Sequence, residues 1–237
     1  MKVAAVIPAR YASSRFPGKP LARIAGRSMI ERVYLQAEKA GCFAEIIVAT
    51  DDTRIRDEVI RFGGIVEMTD NNIKSGTERV WAAIENKDVA AVVNIQGDEP
   101  LIPEKLIRAV ALALENDSIV SAARRSDARE DFLSRHVVKV VCDRDGRAVY
   151  FSRAPIPFSE KDPGAGFLQH IGIYGYSREM LRVFVGSGAS ELEKRENLEQ
   201  LRFLFLGHPI RILMTDFVSH GVDVPADIGK IERLLRS

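Results

Sequence analysis

The chain has 237 residues, 46% of them hydrophobic, enough to bury a substantial core as one large or two small domains. Lys and Arg number 34 against 33 Asp and Glu, a net charge of +1, which excludes the general basic field of a nucleic-acid-coating protein and leaves anion binding to local placement. Cys42 and Cys142 lie far apart and outside any CxxC, so neither a disulfide framework nor a thiolate metal site is expected, and no segment approaches a membrane span of roughly 20 apolar residues.

The chain opens with a strand-length apolar run, VAAVIP, interrupted by Pro8 and too short for a secretory signal region, so the expected compartment is the cytoplasm. The run leads into IPARYASSRFPGKP at 7–20, where Arg10, Arg15 and Lys19 stand in a segment stiffened by Pro17 and Pro20 with no carboxylate to neutralise them. A loop at the carboxyl end of a strand in an open α/β sheet is where ligands bind. Its cations and the backbone amides near Ala12, Ser13 and Ser14 can cradle a polyphosphate. The alternative is a solvated loop whose arginines pair with surface carboxylates. Neither the GAG run at 164 nor the GSG run at 186 continues into GxGxxG, and Gly18-Lys19 lacks the glycine and Ser/Thr of a GxxxxGK[ST] loop.

Helix-period and strand-length segments then alternate: SMIERVYLQAEKAG with Gly41 as its C-terminal cap, EIIVAT, RIRDEVIRFGG ending near Gly63, AAVVNI, PEKLIRAVALALEN with Pro103 in the first turn, and SIVSAA. Fully apolar strands imply a sheet covered on both faces, hence parallel α/β. Between these elements, KSGTERV at 74–80 places Lys74 and Arg79 around a glycine, with Thr77 as a possible N-cap; a plain helix start with exposed charge is the alternative. NIQGDEP at 94–100 puts Asp98 directly after a buried strand, opposite the basic loop, with Gly97 allowing close backbone approach. Asp98 is therefore a candidate ligand for a hard cation such as Mg²⁺, against the alternative of simple turn chemistry.

After Ala123 the alternation breaks. VVKVVCD and RAVYFS flank Asp145-Gly146 as a tight hairpin, and a Pro/Gly-rich loop over 153–169 holds Arg153 in SRAPIP. HIGIYGY returns as a strand, with His170 and Tyr174 on one face. Arg153, His170 and Tyr174 can together bind a carboxylate and hydroxyls, although a lone histidine is also a common structural residue. Ser190 to Glu193 forms an SxxE capping box ahead of one long helix, ELEKRENLEQLRFLFLG, in which Glu199 and Gln200 face either a site or solvent. IRILMT is a further strand. Asp223 in HGVDVP supplies a second acid, or caps the final helix beginning at about Pro225. With no linker, repeat or low-complexity segment, residues 1–237 are read as one domain carrying an inserted flap at about 135–190.

In order, IPARYASSRFPGKPL, VATDD, SGTER, NIQGDEP, VKVVCDRDGRAVYFSRAPIP, HIGIYGY, LEQLR and GVDVPADI resemble the 3-deoxy-manno-octulosonate cytidylyltransferase family nearly end to end. IPAR-type loops are shared with sialic acid cytidylyltransferases, whereas SRAPIP, HIGIYGY and LEQLR together carry the specificity. The resemblance implies a mostly parallel, three-layer nucleotide-diphospho-sugar transferase sheet, Rossmann-like, with an inserted antiparallel hairpin. It implies Mg²⁺-dependent joining of CTP to 3-deoxy-D-manno-octulosonate (Kdo), giving CMP-Kdo for lipopolysaccharide synthesis and pyrophosphate. The expected assembly is a homodimer, with no nucleic-acid or membrane partner. Carried onto this chain, Lys19, Asp98 and Asp223 are catalytic, with Asp98 and Asp223 the metal ligands. Arg10, Arg15, Lys19, Ser75 and Arg79 fall on the nucleotide side. Gln96, Arg153, His170, Tyr174, Glu199 and Gln200 fall in the sugar-acid pocket, which the flap shapes while contributing to dimerisation. One departure stands out: family members usually carry a basic residue where this chain has Gln169.

Overall fold

A computed structural model describes residues 1–13, 15–73, 75–160 and 166–236; Ser14, Lys74, the run 161–165 and Ser237 lie outside them. In chain order the elements are β1 (Val3–Ala9), a 3₁₀ turn (Lys19–Leu21), β2 (Arg23–Ile24), β3 (Arg27–Ser28), α1 (Met29–Ala40), β4 (Glu45–Thr50) and α2 (Thr53–Arg61). There follow β5 (Ile65–Met68), α3 (Gly76–Ile84), β6 (Ala91–Ile95), α4 (Glu104–Ala113), β7 (Ile119–Ser126), α5 (Arg129–Leu133), β8 (Lys139–Cys142) and β9 (Ala148–Ser152). The chain continues through β10 (Phe167–Ser177), α6 (Arg178–Gly186), α7 (Glu191–Glu196), α8 (Leu201–Phe205), β11 (Arg211–Met214) and α9 (Asp227–Leu234).

Among the described residues nine strands form one sheet, in the order β11-β7-β10-β6-β1-β4-β5 with the β8–β9 pair attached to β10, while β2 and β3 form a separate small hairpin. The central strands are apolar on both faces because helices cover both. Ile30, Val33, Ile55, Ile107 and Val110 from α1, α2 and α4 pack on one face. Val80, Ile84, Leu181, Phe184 and Phe203 from α3, α6 and α8 pack on the other. Burial of each such Val, Ile, Leu or Phe side chain is worth about 1.5–3 kcal/mol, which makes this three-layer arrangement the main source of stability. The caps follow the local sequence: Ser28 accepts from the Glu31 amide to start α1, and Gly41, at φ 62°, ends it.

The expected mostly parallel sheet forms, interrupted where β10 lies between β6 and β7 and runs antiparallel to both. Two expectations need correction. The inserted part is therefore narrower than 135–190: β8 and β9 stand at the margin, whereas β10 and α6 belong to the body of the fold. The expected long helix is two short ones. The capping box Ser190–Glu193 forms, but Asn197 at φ 53° ends α7, and residues 198–200 make the turn that leads into α8, with Gln200 as its N-cap. In smaller details, Pro103 is the N-cap of α4 rather than a first-turn residue, and the β8–β9 turn spans residues 143–147, with Gly146 at φ 75°. No helix among the described residues is long and apolar enough to cross a membrane.

The break between α7 and α8 is bridged by a buried ion pair. Arg202 donates to Glu193 through Nε and Nη2 at 2.7 and 2.6 Å and to the carbonyl oxygens of Phe184 and Ser187 at 2.9 and 3.1 Å. Arg202→Met leaves the buried Glu193 carboxylate without its cation and the Ser187 carbonyl without its donor, and is expected to lower stability in urea denaturation by about 3–5 kcal/mol. Adding Glu193→Leu should recover a large part of that loss; no recovery would show that the pair is not the determinant.

Candidate active site

β1 and β6 pair from Val3↔Ala91 to Val6↔Asn94 and then part. Pro8 has no N–H to continue the ladder, and Gly97 approaches so closely that a Cβ there would sit 3.0 Å from the Pro8 carbonyl oxygen. The crevice opened at the carboxyl end of the sheet leads into two cavities. One, of about 370 Å³, is lined by Arg10, Arg15, Lys19 and Gly97; the other, of about 500 Å³, by Asn94, Arg153, His170, Tyr174 and Gln200. Gln96 and Asp98 line both, so the cavities meet at the end of β6.

The smaller cavity belongs to the basic loop. Gly18, at φ 72°, donates to the Tyr11 carbonyl at 2.9 Å and packs on the Tyr11 ring, over which Arg54 stacks at 3.2 Å. That staple sets Lys19 at the start of the 3₁₀ turn. The Lys19 ammonium donates to Asp98 at 2.7 Å and to the Val222 carbonyl at 3.0 Å, and lies 4.0 Å from Asp223. Arg15 grips both oxygens of Asp223 at 3.0 and 3.1 Å. Asp223 does not cap α9, whose N-cap Ala226 makes no side-chain bond; instead the Asp227 carboxylate accepts from the amides of Asp223 and Val224 at 2.8 and 2.9 Å, fixing the turn that presents Asp223. Two acids 125 residues apart in the chain thus converge on one cation.

Arg10 donates to the Ile73 carbonyl at 2.5 Å, and burial, then the nearby Arg79 charge, pull its pKa below the usual guanidinium value. Arg79 itself is fully buried and lines neither cavity: it donates to Asp51 at 2.6 Å, to the Ile73 carbonyl at 3.2 Å and to the Thr69 hydroxyl. Ser75, not Thr77, caps α3, accepting from the Glu78 amide at 3.2 Å. The Ser75 hydroxyl donates in turn to Glu199 at 2.9 Å, and the Gly76 and Thr77 amides donate to the same carboxylate at 3.1 Å each. Ser75 therefore stands with Glu199, across the boundary drawn between nucleotide and sugar residues.

In the larger cavity the Ser121 hydroxyl donates to the Ile173 carbonyl at 2.8 Å, so the His170 Nε2, also 2.8 Å away, is the donor to the Ser121 oxygen. His170 is thereby the Nε2–H tautomer with Nδ1 left as an acceptor, and burial pushes its pKa down to about 3, so it is neutral at physiological pH. The Tyr174 ring lies 5.4 Å from His170 and 5.8 Å from Tyr176, and burial pushes its hydroxyl pKa up, keeping it a donor. Three N–H groups of Arg153 bond the carbonyls of Glu196, Arg135 and Asn197 at 2.8, 3.1 and 3.3 Å, which leaves two of the five for a ligand. Gln200 Nε2 and Asn94 Oδ1 are buried without a hydrogen-bond partner. Gln169, at the position where a basic residue was expected, accepts from Arg124 at 2.8 Å, which brings a guanidinium beside it from β7.

Among the described residues no group of three or more His, Cys, Asp or Glu side chains is placed to hold a metal. Asp98 and Asp223 suit a hard cation that takes few protein carboxylates beside substrate oxygens, and the Lys19 ammonium within 4.0 Å of both already stands in for one. Behind them, Glu99 accepts from the Ser219 hydroxyl, and burial with the Asp98 charge raises its pKa to about 7. Sequence reasoning assigned nothing to Asn94, Glu99 or Ser121; the available signal was a polar residue standing alone in an apolar strand, as in AVVNI and SIVSAA.

The sequence model of the cytidylyltransferase family matches residues 4–211. A 3-deoxy-manno-octulosonate cytidylyltransferase of Syntrophotalea carbinolica is 46% identical over 248 residues, spanning 100% of this chain and 99% of its own. The same-named protein of Geobacter metallireducens is also 46% identical, over 251 residues, with 100% and 99% covered. A solved CMP:2-keto-3-deoxy-manno-octonic acid synthetase in complex with CTP superposes with a TM-score of 0.94 at 36% identity, over 100% of this chain and 99% of that one.

The raised pKa of Glu99 sets a pH dependence. The folded chain holds a proton that the unfolded chain, with a carboxyl near the ordinary 4.5, gives up, so folding is penalised as pH rises from about 4.5 to about 7. Glu99→Gln should match the parent's stability near pH 4.5 and exceed it at pH 8 by about 3 kcal/mol at most. Denaturant titrations with chelator at both pH values check this; an equal offset at both would show that Glu99 ionises normally.

Proposed function

This chain belongs to the cytidylyltransferase family, and from that premise we propose that it transfers CMP from CTP to the anomeric hydroxyl of Kdo, releasing pyrophosphate and giving CMP-Kdo for lipopolysaccharide synthesis. The observation that carries the reading is the seam: a cation-lined cavity and a polar cavity share Gln96 and Asp98, so two ligands seated in them meet at one point. The triphosphate lies in the smaller cavity against Arg10, Arg15 and Lys19. The sugar acid lies in the larger one, its carboxylate on the two free N–H groups of Arg153 and its hydroxyls among Tyr174, Gln200, Gln96 and the Nδ1 acceptor of His170.

Reaction joins the anomeric oxygen to the α-phosphorus while the bond from that phosphorus to the bridging oxygen breaks. Pyrophosphate departs and the hydroxyl proton passes to water. Both substrates are anions, so the residues at the seam must first offset their repulsion. Lys19 and Arg15, held at the mouth by Asp98 and Asp223, exchange those carboxylates for phosphate oxygens and stay with the departing pyrophosphate. The two freed carboxylates would hold Mg²⁺, which when bound supplies positive charge between the substrates and lowers the pKa of the attacking hydroxyl. His170, neutral and hydrogen-bonded to Ser121, binds the sugar and takes no proton.

The homodimer and the cytoplasmic location are part of the same proposal. The exposed apolar side chains of Leu133, Val149 and Phe158 support association through the flap. The two unpaired thiols, Cys42 and Cys142, are in keeping with a reducing compartment.

Pyrophosphate release from CTP is expected only when Kdo and Mg²⁺ are both present, and to vanish with chelator. Equal release with sialic acid, or none with Kdo, would sink the assignment. Arg153→Ala should raise the KM for Kdo by roughly 10–100-fold, the loss of charge-assisted hydrogen bonds, while the KM for CTP stays within about twofold.

A further inference from the structure

Asn94 is 2% exposed, lies in β6 among the fully buried Val92, Val93 and Ile95, and stands opposite Tyr174 in the ladder with β10. Its Oδ1 has no hydrogen-bond partner, and Gln200, which lines the same cavity and is 3% exposed, has an unpartnered Nε2. An amide buried in this way destabilises a strand that valine would fit as well or better. Glu199, which lines the same cavity, is by contrast taken up by Ser75 and the α3 amides. An unsatisfied amide oxygen and an unsatisfied amide N–H lining one cavity are the complement of a group that both donates and accepts.

We propose that Asn94 is a specificity-determining residue of the larger cavity, whose amide reads one hydroxyl of the acceptor sugar together with Gln200. A hydroxyl offers one hydrogen and two lone pairs, matching an amide oxygen and an amide N–H at once. A carboxylate does not suit this floor, since it has no hydrogen for Oδ1, and Arg153 is the only guanidinium or ammonium group among the described residues lining the cavity. The inference rests on the larger cavity being the sugar-acid site.

Asn94→Val separates a ligand-reading role from a structural one, because the two predict opposite effects on the empty protein. The melting temperature of the variant without ligands should be unchanged within about 2 °C or higher. Its KM for Kdo should rise about tenfold to a hundredfold, with kcat within about threefold and the KM for CTP within about twofold. Asn94→Asp, which keeps the acceptor and the shape, should restore part of the affinity. A variant that fails to fold or melts more than about 5 °C lower would make the amide structural and overturn the inference. So would equal KM increases for both substrates, or an unchanged KM for Kdo. Parent turnover with Kdo is measured alongside: its absence would sink the functional reading and the inference together, whereas parent turnover with an indifferent Asn94→Val sinks the inference alone.

Discussion

β10 is hydrogen-bonded along both edges, antiparallel to β6 on one side and to β7 on the other, and that double pairing decides where every group of the site can stand. Because β10 runs against its neighbours, its first half lies beyond the carboxyl end of β6. Past Ile95 its free edge is taken over by β8, with Leu168 opposite Val140 and Gln169 opposite Lys139. Between the end of one neighbour and the start of the other is a gap at residues 170–172, which begins at His170 and stops short of Tyr174, itself opposite Asn94. A slip of one residue would turn both side chains to the α4 face, where there is no room: a Cβ on Gly175 would already lie 3.0 Å from Val110 and Leu114. The larger cavity is thus what remains where one strand changes partners.

Electrostatically, the cleft concentrates charge in a chain whose total is close to zero. It does so without burying an unpaired ion, since Lys19 is held by Asp98, Arg15 by Asp223 and Arg79 by Asp51. Arg79 reaches the phosphate loop only at second hand. It and Arg10 donate to the same Ile73 carbonyl, so the fully buried guanidinium settles where the half-buried one is anchored. Lys139 plays a comparable part under the flap: fully buried, it donates to the carbonyls of Ser134, Val137 and Arg153 at 2.9, 2.7 and 2.7 Å and so holds the segment that carries Arg153.

Local chemistry made much of this legible. Apolar runs gave β1, β4 and β6, the glycines at 41 and 63 ended helices where expected, and the three loop cations and two acids were visible as charges without local partners. What could not be read was long-range pairing. Nothing in HIGIYGY says that it inserts between two strands more than forty residues upstream, because the pattern of a buried strand is the same for either direction. Asn197 broke the long helix by taking a left-handed conformation that helical periodicity does not report, and Glu199 left the helix to serve α3. SGTER was read with Thr77 as the cap of α3, whereas Ser75 takes that place and also bonds Glu199, which lies 124 residues from it. The side-chain burial of Arg79 was equally invisible, since an arginine in a helix is usually solvated.

The carboxylate of Glu199 on the first amides of α3 has a consequence for life among other solutes. The start of a helix attracts free anions, and one that opened into this cavity would draw in inorganic phosphate and other small anions. The chain fills that position with its own tethered anion, at an effective concentration that dissolved ions do not match. Negative charge entering the cavity is then met chiefly by Arg153, so common metabolic anions find one docking point there rather than two, and a small phosphate gains less from occupying the space than a larger polyhydroxy acid able to engage the remaining walls.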